Sequence, residues 1–197
     1  MSEDTPISGP HAHGAASVNR IMVLVMAALL PATLFGVYLY GWPALNLLLV
    51  TVCTAVLAEA ACLRIAGKPV TPYLMDGSAV LSGWLLAMTL PPWAPWWIGA
   101  VGSLLAIVVA KQVFGGIGQN LFNPAMVARV ALLIAFPLEM TTFTAPKPLF
   151  SADAPGFLDG LSITFAAAAE IDGVSSASTL SHVKTELSQG TPLDSAL

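Results

Sequence analysis

Charge is what this chain has least of. Seven Lys and Arg stand beside eleven Asp and Glu in 197 residues, so 9% of the side chains are charged and the net charge is −4. A soluble domain carries about 25% charged residues. The deficit excludes an ordinary water-facing surface and makes the lipid bilayer the default solvent. The shortage of cations excludes nucleic acid as a partner, because no basic stripe exists to neutralise phosphates. Cysteine is almost missing too. Cys53 and Cys62 lie nine residues apart inside an apolar run, which excludes a disulfide framework and fits no metal spacing. His11 and His13 sit in a Gly/Pro/Ala tail and read as solvated side chains, so no metal site is expected. The first 20 residues are polar and lack the short charged and apolar segments of a secretory signal.

What remains is apolar. Hydrophobic residues make up 56% of the chain, and mean hydropathy is +0.80. A helix needs roughly 20 apolar residues to cross a bilayer. The candidates are Ile21 to Tyr40, Ala44 to Leu63, a shorter run from Asp76 to Leu90, Trp97 to Ala110, and Pro124 to Phe136. The reading is an all-α polytopic membrane protein of about five spans. Residues 1–20 form a tail, 21–137 the membrane domain and 138–197 a polar segment outside it. Arg20, Arg64, Lys68 and Lys111 all fall on one side of this arrangement, and the opposite loops carry no Lys or Arg. The positive-inside rule makes that side cytoplasmic, together with the N-terminus. Residues 138–197 then face the periplasm of a Gram-negative cell. Trp42, Trp93, Trp96 and Trp97 mark the outer boundary as an aromatic belt.

Two spans are irregular. The third carries Gly77, Ser78, Ser82 and Gly83, and the fifth follows a turn containing Gly115, Gly116, Gly118, Asn120 and Asn123. Asn123 and Pro124 form a natural helix start. Unwound backbone at membrane depth survives only where protein or a water-lined cavity satisfies it. Short, Gly/Pro-interrupted spans are the mark of inverted-repeat folds with a central site, and one such half is expected here. The glycine turn is neither a dinucleotide fingerprint nor a P-loop, since no strand context and no Gly-Lys-Ser/Thr accompany it. Glu59, Asp76 and Arg129 are the ionisable residues in or near the spans. Intramembrane charge is functional by default. Two readings stay open: an ion path, or carboxylates paired with Arg129 or Arg64 or held near the headgroups.

The outer segment contains Asp172-Gly173-Val174-Ser175-Ser176-Ala177-Ser178-Thr179. A transferase that esterifies a hydroxyl needs little bulk around it and benefits from a nearby carboxylate. On composition alone this is a Ser/Ala/Gly loop.

The whole chain resembles the RnfD family of Rnf-complex membrane proteins. More distantly it is similar to the NqrB family of the sodium-translocating NADH:quinone oxidoreductase. The likeness rests on the run from Lys111 through Phe114-Gly115-Gly116-Ile117-Gly118-Gln119-Asn120 to Asn123-Pro124-Ala125. It rests equally on the flavin-attachment pattern Asp-x-x-(Ser/Thr)-Gly-Ala-Thr, met here at Asp172, Ser175 and Ala177. The resemblance implies FMN bound covalently through its phosphate, with Asp172 orienting for the flavin transferase. Ungapped register puts Ser178 at the acceptor position. Thr179 is the usual residue type, but it needs a one-residue insertion. Ser176 stands where the family has Gly. The resemblance also implies a second, non-covalent flavin such as riboflavin, whose pocket is expected at Gly115, Gly116, Gly118, Asn120 and Asn123.

The implied setting is the bacterial inner membrane. There a complex of membrane and peripheral subunits couples electron exchange between ferredoxin and NAD to Na⁺ or H⁺ movement. This chain would form part of that translocase without complete activity alone. Family members continue into further spans, so the chain is expected to represent their first half. A solute transporter or channel of urea-transporter type, or a structural scaffold, is the competing reading. Neither needs the attachment motif.

Overall fold

The computed structural model describes residues 17–151 and 153–166. Among them every regular element is helical. The chain is an α-helical membrane protein, and two of its helices are long and apolar enough to cross a bilayer.

Helix α1 (Val18–Tyr40) starts where the Ser17 hydroxyl accepts from the Arg20 amide at 3.3 Å. It stops at Gly41, whose φ of 73° permits the sharp reversal into α2. Thr33 alone is buried along α1, so its surface belongs to lipid or to neighbouring protein. Helix α2 (Trp42–Ile65) is the central post. Its buried residues Leu47, Thr51, Ala55, Ala58, Glu59 and Leu63 recur at helical spacing, and it contacts α1 and most of the later elements. Short α3 (Val70–Leu74) leads to α4 (Ser78–Ala87). Helix α5 (Trp96–Leu104) runs on as eight π-helical residues, Leu105–Gln112. A glycine turn then leads to α6 (Pro124–Ala135), α7 (Pro137–Thr141) and α8 (Phe157–Ala166).

The backbones approach closely because the facing residues are small. A Cβ on Gly99 would meet Thr51 Oγ1 at 2.5 Å, and one on Gly83 would meet the α2 backbone at 3.0 Å. Ser103 Oγ donates to the Thr51 carbonyl at 2.7 Å. Small residues four apart, here Gly99 and Ser103, are how membrane helices gain van der Waals contact when lipid supplies no hydrophobic drive. Leu47, Leu86, Ile98, Ala106, Ala128 and Leu132 fill the centre.

The two irregular spans are half-helices. Ten residues of α4 and twelve of α6 rise only about 15 and 18 Å, short of a hydrocarbon core about 30 Å thick. Trp42, Trp93, Trp96 and Trp97 gather at the end of the bundle where α2 and α5 begin. Trp93 Nε1 donates to the Tyr40 carbonyl at 3.0 Å, Trp42 meets Phe157 edge-on at 5.2 Å, and Trp96 stacks on Phe165 at 6.4 Å. Helix α8 is thereby fastened across that end.

Candidate functional site

Both half-helices start at one place. Helix α4 opens at Ser78, where the Asp76 carboxylate accepts from the Ser78 amide at 2.7 Å and from its hydroxyl at 2.5 Å. Helix α6 opens at Pro124, where Asn123 Oδ1 accepts from the Ala125 amide at 3.0 Å. Between these N-termini lies a cavity of about 230 Å³, lined by Ser78, Ser82, Lys111, Asn120 and Asn123 together with apolar walls that include Met22 and Leu81. The turn leading into it needs its glycines. Gly115, Gly116 and Gly118 have φ of 111°, 103° and 82°, a region other residues rarely enter.

Behind the cavity is a buried ion pair. Lys111 Nζ donates to Glu59 at 2.7 and 2.5 Å and to Ser78 Oγ at 2.6 Å. Gln112 Nε2 donates to Glu59 at 3.0 Å. Each charged side chain is 3% exposed. All three ammonium donors therefore have acceptors, as so buried a charge requires. Glu59 stands six residues before the end of α2, about 9 Å of helix rise from the end that carries Arg64.

The sequence suggests different partners. It groups Lys111 with the surface cations, but the π-helical end of α5 turns it inward. It points Glu59 and Asp76 towards Arg129 or Arg64. Glu59 instead pairs with Lys111, whose third donor goes to Ser78, which in turn donates to Asp76. Arg129 donates to the Thr89 carbonyl past the C-terminus of α4, apart from the carboxylates. Of the residues expected at the second pocket, Asn120 and Asn123 line the cavity, while the three glycines shape the turn. Sequence reasoning misses Ser78, Lys111 and Gln112 as site residues. Only the Asp76-x-Ser78 capping pattern signals any of them. Asp172, Ser175, Ala177, Ser178 and Thr179 lie outside the described residues.

The donor set suits the edge of a planar heteroaromatic ring. Asn120 uses its amide nitrogen on the Phe122 carbonyl at 2.8 Å, which leaves its oxygen to accept. Asn123 uses its oxygen on the helix and keeps its NH₂ to donate. An acceptor on Asn120, a donor on Asn123 and the oxygens of Ser78 and Ser82 thus share the cavity with apolar lining residues. The volume falls below the roughly 300–1,000 Å³ of ordinary ligand pockets.

Known proteins match over nearly the whole chain. The NQR2, RnfD, RnfE family model matches residues 5–196. The D component of the ion-translocating oxidoreductase complex from Rhodobacter capsulatus is 58% identical over 98% of this chain and 53% of its own length. The protein of that name from Halorhodospira halophila is 59% identical over 97% of this chain and 54% of its own length. That from Stutzerimonas stutzeri is 61% identical over 89% and 49%. The chain thus spans about half the length of these relatives. A helical membrane chain matched from residue 5 to residue 196 belongs to the NQR2, RnfD, RnfE family.

Proposed function

We propose that this chain is an electron-carrying membrane subunit of an ion-translocating oxidoreductase complex, holding flavin in two places. The observation that carries the reading is the cavity between the half-helices, with its polar edge of Asn120, Asn123 and Ser78 and its apolar walls. In the proposed setting the complex sits in a bacterial inner membrane. It exchanges electrons between ferredoxin and NAD, through other membrane and peripheral subunits, and moves Na⁺ or H⁺. The N-terminus is cytoplasmic and residues 138–197 are periplasmic.

A bound flavin supplies reversible electron storage, while the protein supplies position and electrostatics. Asn120 and Asn123 orient the ring edge, Leu81 and Met22 exclude water from its face, and the paired Lys111 and Glu59 keep the wall behind it polar. Glu59 and Asp76, linked through Lys111 and Ser78, are the candidate stations for the moving cation. The covalent FMN belongs on Ser178, or on Thr179, after transfer by a flavin transferase that reads Asp172, Ser175 and Ala177. Ser178 is twelve residues past the end of α8. The chain leaves α8 at the tryptophan end and has a reach of at most about 40 Å.

The competing reading is a solute channel, favoured by half-helices whose N-termini meet at a cavity. One gel separates the two. Full-length protein made with its flavin transferase is denatured, run, and viewed under ultraviolet light, while the protein-free supernatant is assayed for released flavin. The expected result is a fluorescent band abolished by Ser178→Ala or by Thr179→Ala, but not by both, plus non-covalent flavin in the supernatant. A dark band and a colourless supernatant would support the channel.

A further inference from the structure

The charges around the cavity are unevenly placed. Two helix N-termini open onto it, α4 at Ser78 and α6 at Pro124, and aligned peptide dipoles put about half a positive charge at each, the first offset by the Asp76 carboxylate that caps Ser78. Lys111 adds a full ammonium as a lining residue. Glu59, its partner, does not line the cavity. A bound group therefore meets Lys111 first and Glu59 only beyond it. The ammonium has no donor to spare, because Glu59 takes two of its N–H groups and Ser78 the third. It acts on the cavity through its field, in a buried setting where fields are screened far less than in water.

We propose that Lys111 sets the electron affinity of the group bound in this cavity, and that Glu59 holds that setting down by neutralising part of the ammonium's field. The inference rests on the cavity's being a flavin site. A ring that takes up an electron takes up negative charge. Lys111 favours that form and Glu59 disfavours it. No bond forms or breaks at Lys111, and its proton stays in place. Lys111 is thus a positioning residue of charge, and the two partners of one salt bridge have opposite effects. A merely structural pair would not behave so, since breaking it from either side would loosen the site in the same way.

The test uses the purified complex with both Ser178→Ala and Thr179→Ala in this chain, so that the flavin it retains is non-covalent. Flavin content is measured first. The flavin is then titrated spectroelectrochemically, with electrons from dithionite through dye mediators, in this parent and in Lys111→Met, Lys111→Arg and Glu59→Gln. Lys111→Met is expected to raise the ratio of oxidised to reduced flavin at the parent's midpoint about tenfold, a fall of about 59 mV for a one-electron step. Glu59→Gln is expected to move it oppositely by a similar factor, and Lys111→Arg to stay within about threefold of the parent. If Lys111→Met does not assemble, the opposed shift in Glu59→Gln, with Lys111→Arg unmoved, still decides. Flavin retained with no shift, or with Lys111→Met and Glu59→Gln shifting together, overturns the inference but leaves the flavin site standing. A parent complex without flavin in the cavity overturns both.

Discussion

Replacing Lys111 by Met is the most informative single perturbation of stability. Methionine keeps most of the chain length and removes the charge. The buried Glu59 carboxylate is then left with the 3.0 Å bond from Gln112. Removing one partner of a buried pair costs about 3–5 kcal/mol, because the remaining charge keeps its desolvation penalty and loses its compensation. At about 2–4 °C per kcal/mol for a chain of this size, the expected fall in melting temperature is about 6–20 °C. Glu59→Gln on the same chain should recover most of that fall, since neutral side chains in place of a buried pair are often harmless. The assay is the monodisperse fraction of detergent-solubilised full-length protein after a heating series, read at one fixed scan rate because such unfolding is irreversible. A drop of under about 2 °C in Lys111→Met, on the same scale, would refute the reasoning. So would a double variant whose loss equals the sum of the singles, because coupled neighbours must depart from additivity.

Other substitutions test the packing and the cavity. Gly99→Ala puts a methyl within 2.5 Å of Thr51 Oγ1 and should destabilise by about 1–3 kcal/mol, whereas Gly36→Ala, with nothing within 4 Å, should be neutral or stabilising by up to about 1 kcal/mol; the same heating series checks both. Asn123→Ala should lose the α6 cap, about 0.5–2 kcal/mol, and release non-covalent flavin into the supernatant. Asn123→Asp should keep the cap and lose the donor to the cavity, so its thermal behaviour should stay near the parent while flavin content falls. Asp76→Asn should leave a cap on Ser78 and change the cation dependence of ion transport more than the fold, read as the concentration for half-maximal rate in proteoliposomes.

The long helices are legible because each contains a predominantly apolar run of 20 residues closed by Gly41 or Arg64. The half-helices are legible as irregularities, since Gly77 and the Asn123-Pro124 step break the pattern. Lys111 is not legible. It closes an apolar run, which is where a surface cation belongs, and the π-helical residues before it shift the face it presents. Its partner is 52 residues away, and no local pattern encodes a contact across spans. The Asp76–Ser78 cap is local, and the spacing of two residues carries it. Arg129 illustrates the opposite error. It lies in the right part of the sequence for pairing with a carboxylate, but it donates to the Thr89 carbonyl just past α4.

The depth of Glu59 also fixes how the membrane voltage acts on its neighbourhood. It lies about 9 Å of helix rise from the Arg64 end of α2, against a hydrocarbon core about 30 Å thick. Its electrical distance from that face is therefore about three tenths. Moving one charge across the full membrane against 100 mV takes about 2.3 kcal/mol. A cation entering from the Arg64 side as far as Glu59 would meet only about three tenths of that. An electron reaching the same depth from the tryptophan end would cross the remainder. The two charges would thus divide the field unequally, and applied voltage should weigh on the electron's step more than on the cation's entry.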